Sequence, residues 1–367
     1  MDYKNDSRTI LSLDAGGTNF DFFAVRGGEI ITEKLRFPAA VATLDDMLMM
    51  IINGFEQVQQ QSGQQASAIS FCFPGPADFT GGIIGDLENL PLFRDGVPLK
   101  AMLEDHFGRP VFINNDGDLF AYGEAIAGLM PEVNKTLKDG GSQRQYKNLL
   151  GVTFGTGFGG GLVTKGTLFT GDNSAGMEIN RMRNKLYPHT SAEDSVTIRA
   201  IKRVYAREAG LKPEDTPEPE TIFKIGVGEM GGDSMAARKA FSELAEVAGD
   251  ALADAVTLTD SLVVIGGGLS GAWLLFLQQM VDEMNFAFKE LSGEDLPRME
   301  IYAYNLKNAD CAKDFYEDTS KQIQVPFSDR LVNYDPIKKV GVGLSKLGTS
   351  KAVAIGAYAY ALSELSD

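Results

Sequence analysis

Apolar residues in this chain come in short runs that switch between strict alternation and helical spacing. Thr9–Leu13 is apolar and strand-like, and it runs into "DAGGTN" and then "FDFFAVRGGEIITEKLRF". That pattern predicts strand, glycine turn, strand, Gly-Gly turn, strand: an antiparallel meander. Residues 42–61 have helical periodicity. "ASAISFCFPGP" predicts a buried strand ended by Pro-Gly-Pro, and "LKAMLEDHFG" a helix stopped by Gly108. "RPVFINND" predicts the next strand, with a helix, "LFAYGEAIAG", just after it. The polar stretch "PEVNKTLKDGGSQRQYKN" predicts a loop or an exposed hairpin. A second meander begins near Asn148, where "NLLGVTFGTGFGGGLVTKGTLF" repeats the device of the first. Thr197–Ala209 and Ser234–Ala255 predict helices. "SLVVIGGG" predicts a buried strand ending in a glycine turn, followed by a helix from about Ala272 to Leu291, and "RMEIYAYN" another strand. Residues 305–335 are polar and predict nothing regular, and "SKAVAIGAYAYALSEL" predicts a closing helix. Two halves that open in the same way imply two related α/β domains facing each other across a cleft.

Composition narrows the function classes. The chain has 367 residues, 44% of them hydrophobic, which suits a globular protein of two ordinary domains. A net charge of −16 and the lack of any long basic run argue against a nucleic-acid partner. The two cysteines, Cys72 and Cys311, form no metal or redox spacing, which fits a reducing cytosol. The start "MDYKNDSRTI" has no secretory pattern, and the most apolar stretch, "LVVIGGGLSGAWLLFL", is short and broken. The expectation is a cytoplasmic protein with no membrane partner.

The glycines raise the chemical question. Gly155-x-Gly157-x-x-Gly160 has the spacing of a dinucleotide fingerprint, which requires its turn to open a helix. Here Gly160 is followed by "GLVTKGTLF", a short β-type stretch broken by Gly166, so no dinucleotide site is expected. No Walker sequence is present; "GLSKLGTS" at Gly343–Ser350 only approaches one. Glycines at the turn of a hairpin can instead bring backbone N–H groups up to phosphate oxygens, and two such hairpins face to face would grip a polyphosphate. Asp14, directly after a buried strand and before Gly-Gly-Thr, is either a turn-capping residue or a holder of Mg²⁺, directly or through water. In "INNDGDLFAYGE", Asp116 stands where a strand enters a helix, with Asn114 and Asn115 before it. It is either a helix N-cap or a general base for a hydroxyl attacking a phosphate.

The ordered series "LDAGGTNF", "PGPADFTGGIIGDLENLPLF", "INNDGDLFAYGE", "GTGFGGGLV", "EINRM" and "VVIGGGLS" resembles the ROK family of sugar kinases and sugar-responsive repressors, over nearly the whole chain. The resemblance implies an α/β, actin-like fold built of two duplicated ribonuclease-H-like domains. Residues 1–125 with a C-terminal helix at about 349–367 would form the small domain, and 126–348 the large one. It implies ATP-dependent phosphorylation of a hexose or hexose derivative at the sixth hydroxyl, with ATP and Mg²⁺ as cofactors, and it assigns roles residue by residue. Asp14, Gly16, Gly17 and Thr18 match the first phosphate hairpin, and Gly155, Thr156 and Gly157 the second. Gly266, Gly267 and Gly268 match the turn beside the adenosine. Asp116 matches the catalytic base; Asn115, Glu178 and Glu193 match sugar-binding residues. After Glu178 the family usually has a His and then C-x-C-G-x-x-G-C-x-E, whose His and Cys bind a structural zinc. In this chain Arg181 stands at the His position and Asn184, Leu186 and Ser191 at the Cys positions, so no zinc is expected. Arg181 would pair with Glu178 or Glu193, or contact the substrate. His189 is isolated. Family repressors carry a winged helix before the first motif, whereas only thirteen residues precede Asp14 here, so a DNA-binding role is not expected. Dimers are common in the family, which implies a homodimer. The alternative reading is a sugar-binding or regulatory member, impaired in catalysis and without a DNA-binding domain.

Overall fold

The computed structural model describes residues 3–16, 18–75, 77–87 and 90–366. The first half runs β1 (Ile10–Ala15), β2 (Asn19–Arg26), β3 (Glu29–Ile30), β4 (Leu35–Pro38), α1 (Leu44–Ser62), β5 (Ala68–Cys72), β6 (Ala77–Asp78), β7 (Ile83–Ile84), α2 (Leu99–Phe107) and β8 (Val111–Asn114). The chain then passes through α3 (Asp116–Ala127) and α4 (Leu129–Asp139). The second half runs β9 (Asn148–Phe154), β10 (Phe158–Thr164), β11 (Thr167–Phe169), α5 (Ile198–Ala209), α6 (Pro219–Val227), α7 (Ser234–Thr259), β12 (Leu262–Gly266), α8 (Leu277–Met284), β13 (Ala287–Lys289), β14 (Asp295–Pro297), β15 (Tyr302–Asn305), α9 (Ala309–Tyr316), β16 (Lys321–Gln324), β17 (Leu331–Tyr334), β18 (Lys339–Leu344) and α10 (Thr349–Glu364).

Both meanders form, and each opens a sheet of the same plan. The first sheet has the order β3-β2-β1-β5-β8, with β4 also on β2; the second has β11-β10-β9-β12-β18-β15. In each, an antiparallel hairpin (β1–β2, β9–β10) meets a parallel strand (β5, β12). The first sheet buries one face against α1, where Phe20, Phe22, Phe55, Phe71 and Phe73 pack edge-on or tilted. Each such aromatic pair adds about 0.5–1.5 kcal/mol beyond its buried area. The second sheet buries one face against α5, α7 and α8.

The remaining faces are covered by α3 and α10. Helix α10 lies on β1, β2 and β5; helix α3 lies on β9 and β10; and the two helices pack against each other. This layer is built on missing side chains. A Cβ on Gly123 would stand 2.0 Å from the Ala352 carbonyl oxygen, and one on Gly356 would stand 2.0 Å from that of Leu119. Backbone therefore meets backbone where α3 crosses α10.

Three segments differ from the sequence expectation. "PEVNKTLKDGG" is largely helix, as α4, with only Leu129, Val133 and Leu137 buried, one per turn. The helix expected from about Ala272 to Leu291 is instead a 3₁₀ turn over Gly268–Leu275 and then α8, which stops at Met284 because Ala287–Lys289 pairs with Asp295–Pro297. Residues 305–335 hold α9 and the hairpin β16–β17. Among the described residues no helix is long and apolar enough to cross a membrane.

Candidate active site

A cleft of about 640 Å³ opens where the second hairpin, the start of α3 and the start of α10 converge. That volume is ordinary for a small-molecule site. It gathers Asn115, Asp116, Gly155, Thr156, Gly157, Glu178, Arg181, Glu193 and Gly267 from the expected residues. Asp14, Gly16, Thr18, Gly266 and Gly268 lie outside its lining. Gly17 lies outside the described residues.

The local sequence explains how Asp116 comes to face the cleft. The cap of α3 is Asn115, whose side-chain oxygen accepts from the Asp118 N–H at 2.6 Å. Asp116 is therefore the first residue of the helix, and its carboxylate is not needed as a cap. It accepts one bond, from the Gly117 N–H at 2.9 Å, and has no ion pair among the described residues. The side chain is exposed to the cleft, yet the close protein walls raise its pKa above the usual carboxylate value, and backbone N–H groups of Gly117 and Asp116 partly oppose this. Behind it, Asp118 is buried with Oδ1 unpartnered. Burial, with repulsion from Asp116 and Glu178, pushes the Asp118 carboxyl well upward.

The glycines of the second hairpin divide into two groups. A Cβ on Gly155 would meet nothing within 4 Å, and one on Gly157 only the Glu193 carboxylate at 3.4 Å, so this turn faces the cleft. Gly161 instead forms the floor under α3, while the missing side chain of Gly160 makes room for the Met177 carbonyl, 2.7 Å from where its Cβ would stand. A Cβ on Gly161 would stand 2.4 Å from the Gly117 carbonyl oxygen. The turn is tied down by the Ile198 N–H, which donates to the Gly155 carbonyl at 2.8 Å.

The first hairpin ends in a turn closed by the Gly16 N–H to the Asn19 carbonyl. Asp14 pairs in register with Asp21 and Cys72. Burial raises its pKa; Lys34 opposes this, and Asp21 and Asp116 add to it. Asp14 thus senses the charge of Asp116. From the third glycine turn, the Gly267 N–H donates to Thr349 Oγ1 at 2.9 Å, at the first residue of α10. No side chain caps that helix, so its terminal N–H groups remain available to an anion at the cleft.

Glu178 and Arg181 flank a 3₁₀ turn and make no side-chain hydrogen bond or ion pair among the described residues. Arg181 therefore pairs with neither glutamate; the ion pair of Glu193 is with Arg199, at 3.4 Å. Between them lies Asn180, which sequence reasoning missed. Its Oδ1 is buried in the cleft wall without a partner. Thr349 was also missed; its signal was a threonine following Gly348 at a helix start.

Where the resembling family has its zinc loop, this chain has a hydrogen-bonded knot. Asn184 is 0% exposed. Its Nδ2 donates to the Ser191 carbonyl and Ser195 Oγ, and its Oδ1 accepts from the N–H groups of Leu186 and Tyr187. Tyr187 then donates to Glu243, which also pairs with Arg207. Among the described residues, no group of three or more His, Cys, Asp or Glu could hold a metal ion. Asn184→Ala leaves those partners unsatisfied and should cost about 1–3 kcal/mol. Thermal melts should show a clear drop, with a smaller one for Asn184→Ser; an unchanged melting temperature would mean that the knot does not hold the loop.

A second cavity, about 560 Å³, lies at the other end of β9. Its main charges are already used within the chain: Arg144 pairs with Asp335, and Lys339 donates to the carbonyls of Asp314 and Glu317.

The chain is similar to several proteins of known activity or structure. A glucokinase from Parabacteroides distasonis of known structure is 48% identical, with a TM-score of 0.91 over 99% of both chains. The N-acetyl-D-glucosamine kinase of Vibrio vulnificus is 28% identical over 288 residues, 72% of this chain and 85% of that protein. The glucokinase of Thermotoga maritima is 29% identical over 174 residues, which are 47% of this chain and 50% of that protein. The duplicated, actin-like two-domain fold is shared with that Parabacteroides structure and with a ROK hexokinase from Thermus thermophilus, 20% identical with a TM-score of 0.67 over 98% of this chain and 100% of that one. The model of the ROK family matches residues 10–303, and the chain belongs to that family.

Proposed function

We propose that this protein is an ATP-dependent sugar kinase that phosphorylates a hexose or hexose derivative, at the sixth hydroxyl of a glucose-type ring. The observation that carries this reading is the placement of Asp116: an uncapped, unpaired carboxylate at a helix start, beside a glycine turn that faces the same cleft. The relatives' names, kinases of glucose and of N-acetyl-D-glucosamine, support the substrate class.

In this reading Asn115 Nδ2, Glu178 and Glu193 hold sugar hydroxyls; carboxylates make strong bonds to such donors. Asp116 takes the proton of the attacking hydroxyl as its oxygen bonds to the γ-phosphorus and the bond to the β–γ bridging oxygen breaks, leaving ADP. The turns at Gly16–Thr18 and Gly155–Gly157 hold the phosphates, and Gly266–Gly268 lies by the adenosine. Mg²⁺ neutralises charge on the transferred group when bound. Asp14 would hold it, directly or through water; the mutual repulsion of Asp14 and Asp116 is what a cation there would relieve. Residues 1–125 with 349–367 would close against 126–348 to exclude water. The protein would work in the cytoplasm, with no nucleic-acid partner and no structural zinc.

A coupled assay with Mg²⁺ and ATP over hexoses and amino sugars tests the proposal. Turnover on at least one sugar, unaffected by a zinc chelator, is expected. No turnover on any, together with calorimetric sugar binding but no ATP binding, would overturn it in favour of a sugar-binding protein.

A further inference from the structure

Helix α3 buries a carboxylate that the chemistry above does not use. Glu124 is 0% exposed and makes no ion pair among the described residues; the nearby Lys346 ammonium pairs with Glu132 instead, at 2.7 Å. A buried carboxylate is costly unless hydrogen bonds replace its water. Four do so here. Oε2 accepts from the Leu129 N–H at 2.8 Å. Oε1 accepts from the Ser345 hydroxyl at 2.6 Å and from the Lys346 and Leu347 N–H groups, each at 3.1 Å. Gly128 makes the room, since a Cβ there would stand 2.0 Å from Oε2.

Three of the four donors belong to one turn, within "GLSKLGTS" at Gly343–Ser350, the stretch that approaches a Walker sequence. The stretch has the setting that a phosphate loop requires: it leaves a buried parallel strand, β18, and opens a helix, α10. Two successive N–H groups converge on one oxygen, as in an anion-binding nest. The anion they hold is the chain's own Glu124, so the cradle is filled from within. A chain of bonds then runs from the turn to the cleft. Ser345 Oγ, while donating to Glu124, accepts from the Gly348 N–H at 2.9 Å. Gly348 has φ +79°, which favours glycine, and it precedes Thr349. Thr349 lines the cleft, and its Oγ1 accepts from the Gly267 N–H at 2.9 Å.

We propose that Glu124 is a positioning residue for the nucleotide: through Ser345 it holds the Gly348–Thr349 start of α10, and with it the Gly267 turn, in the geometry that binds ATP. This rests on the kinase reading above, in which that end of the cleft takes the nucleotide. Glu124 is buried away from the cleft and touches no substrate. Its effect runs through the turn, which fixes where the uncapped N–H groups of α10 begin. The sugar-side residues Glu178 and Glu193 lie on segments that none of these bonds reaches, so sugar binding does not depend on it.

The test is calorimetry on the full chain, with Mg²⁺-ATP and separately with glucose and N-acetyl-D-glucosamine, alongside melting curves. Glu124→Gln keeps the shape but sets an amide against N–H donors. It should weaken ATP binding at least about tenfold, the size of one hydrogen bond to a charged group. Ser345→Ala removes only the linking hydroxyl and should weaken ATP binding about threefold. Sugar affinity should match the wild type in both. The double variant should lose less than the product of the two single effects, because the hydroxyl acts through the carboxylate. A lower melting temperature with unchanged ATP affinity would make Glu124 purely structural and overturn the proposal, as would equal losses of ATP and sugar affinity. Should Glu124→Gln fail to fold, Ser345→Ala decides by the same criteria. A wild type that binds no ATP would sink the kinase reading and this role together; a wild type that binds ATP no better than the variants would sink this role alone.

Discussion

Asp116→Asn should lower turnover by about 10²–10⁴-fold, the usual contribution of a positioned general base, and leave sugar binding nearly intact. The amide keeps the size of the carboxylate and can still accept a hydrogen bond, but it cannot take a proton. Because Asn115, not Asp116, caps α3, the substitution removes no helix cap, and the fold should melt as the wild type does. The pH profile offers a second reading. Desolvation by the surrounding cleft walls raises the pKa of Asp116, and a general base must be ionised to act. Activity should therefore rise with pH through a value above the ordinary aspartate figure of about 3.9, and be lost as pH falls through it. The asparagine variant should lack this acid limb in its residual rate. Steady-state kinetics with calorimetric sugar binding measure both effects; turnover within tenfold of wild type would remove Asp116 from the role.

Gly161→Ala should damage both stability and turnover. Its new Cβ would stand 2.4 Å from the Gly117 carbonyl and 2.7 Å from the Asp118 Cα, so the start of α3 has to move. Overpacking of this kind typically costs about 1–3 kcal/mol. The displaced segment carries Asp116, and a shift of about 1 Å can cost 10²-fold in rate. Gly155→Ala is the control, because its Cβ enters open space. It should melt like the wild type and weaken only the response to ATP. Melting curves and kinetics on the two variants separate the glycine that supports the helix from the one that faces the cleft. Equal melting temperatures for the two would show that α3 tolerates the added methyl.

The two hairpins and the position of Asp116 were legible because alternation, glycine turns and a strand-to-helix junction are local signals. The work of Gly160 and Gly161 was not, since the backbone they approach is far away in sequence. Both readings of Asp116 were open for the same reason: only geometry shows that Asn115 takes the cap. Helix α4 was hidden by its polar surface, with a buried stripe of three residues. The β16–β17 hairpin buries neither face, so it has no inward and outward positions for alternation to mark. The loop around Asn184 could be read for what it lacked in cysteines, but not for the four hydrogen bonds that close it.

The crossing of α3 and α10 also has a mechanical consequence. Its contacts, Leu119–Gly123 against Ala352–Gly356, are centred about five residues from the first residue of each helix, or roughly 7.5 Å at 1.5 Å per residue. Backbone meets backbone there at Gly123 and Gly356. It is a smooth pivot with two short, nearly equal levers, one ending at Asp116 and the other at Thr349. A relative rotation of about 10° at the pivot displaces the two ends by only about 1 Å. The placement of Asp116 against Thr349 is thus geared down from larger movements elsewhere, and the glycines at the crossing set the angular tolerance of the cleft.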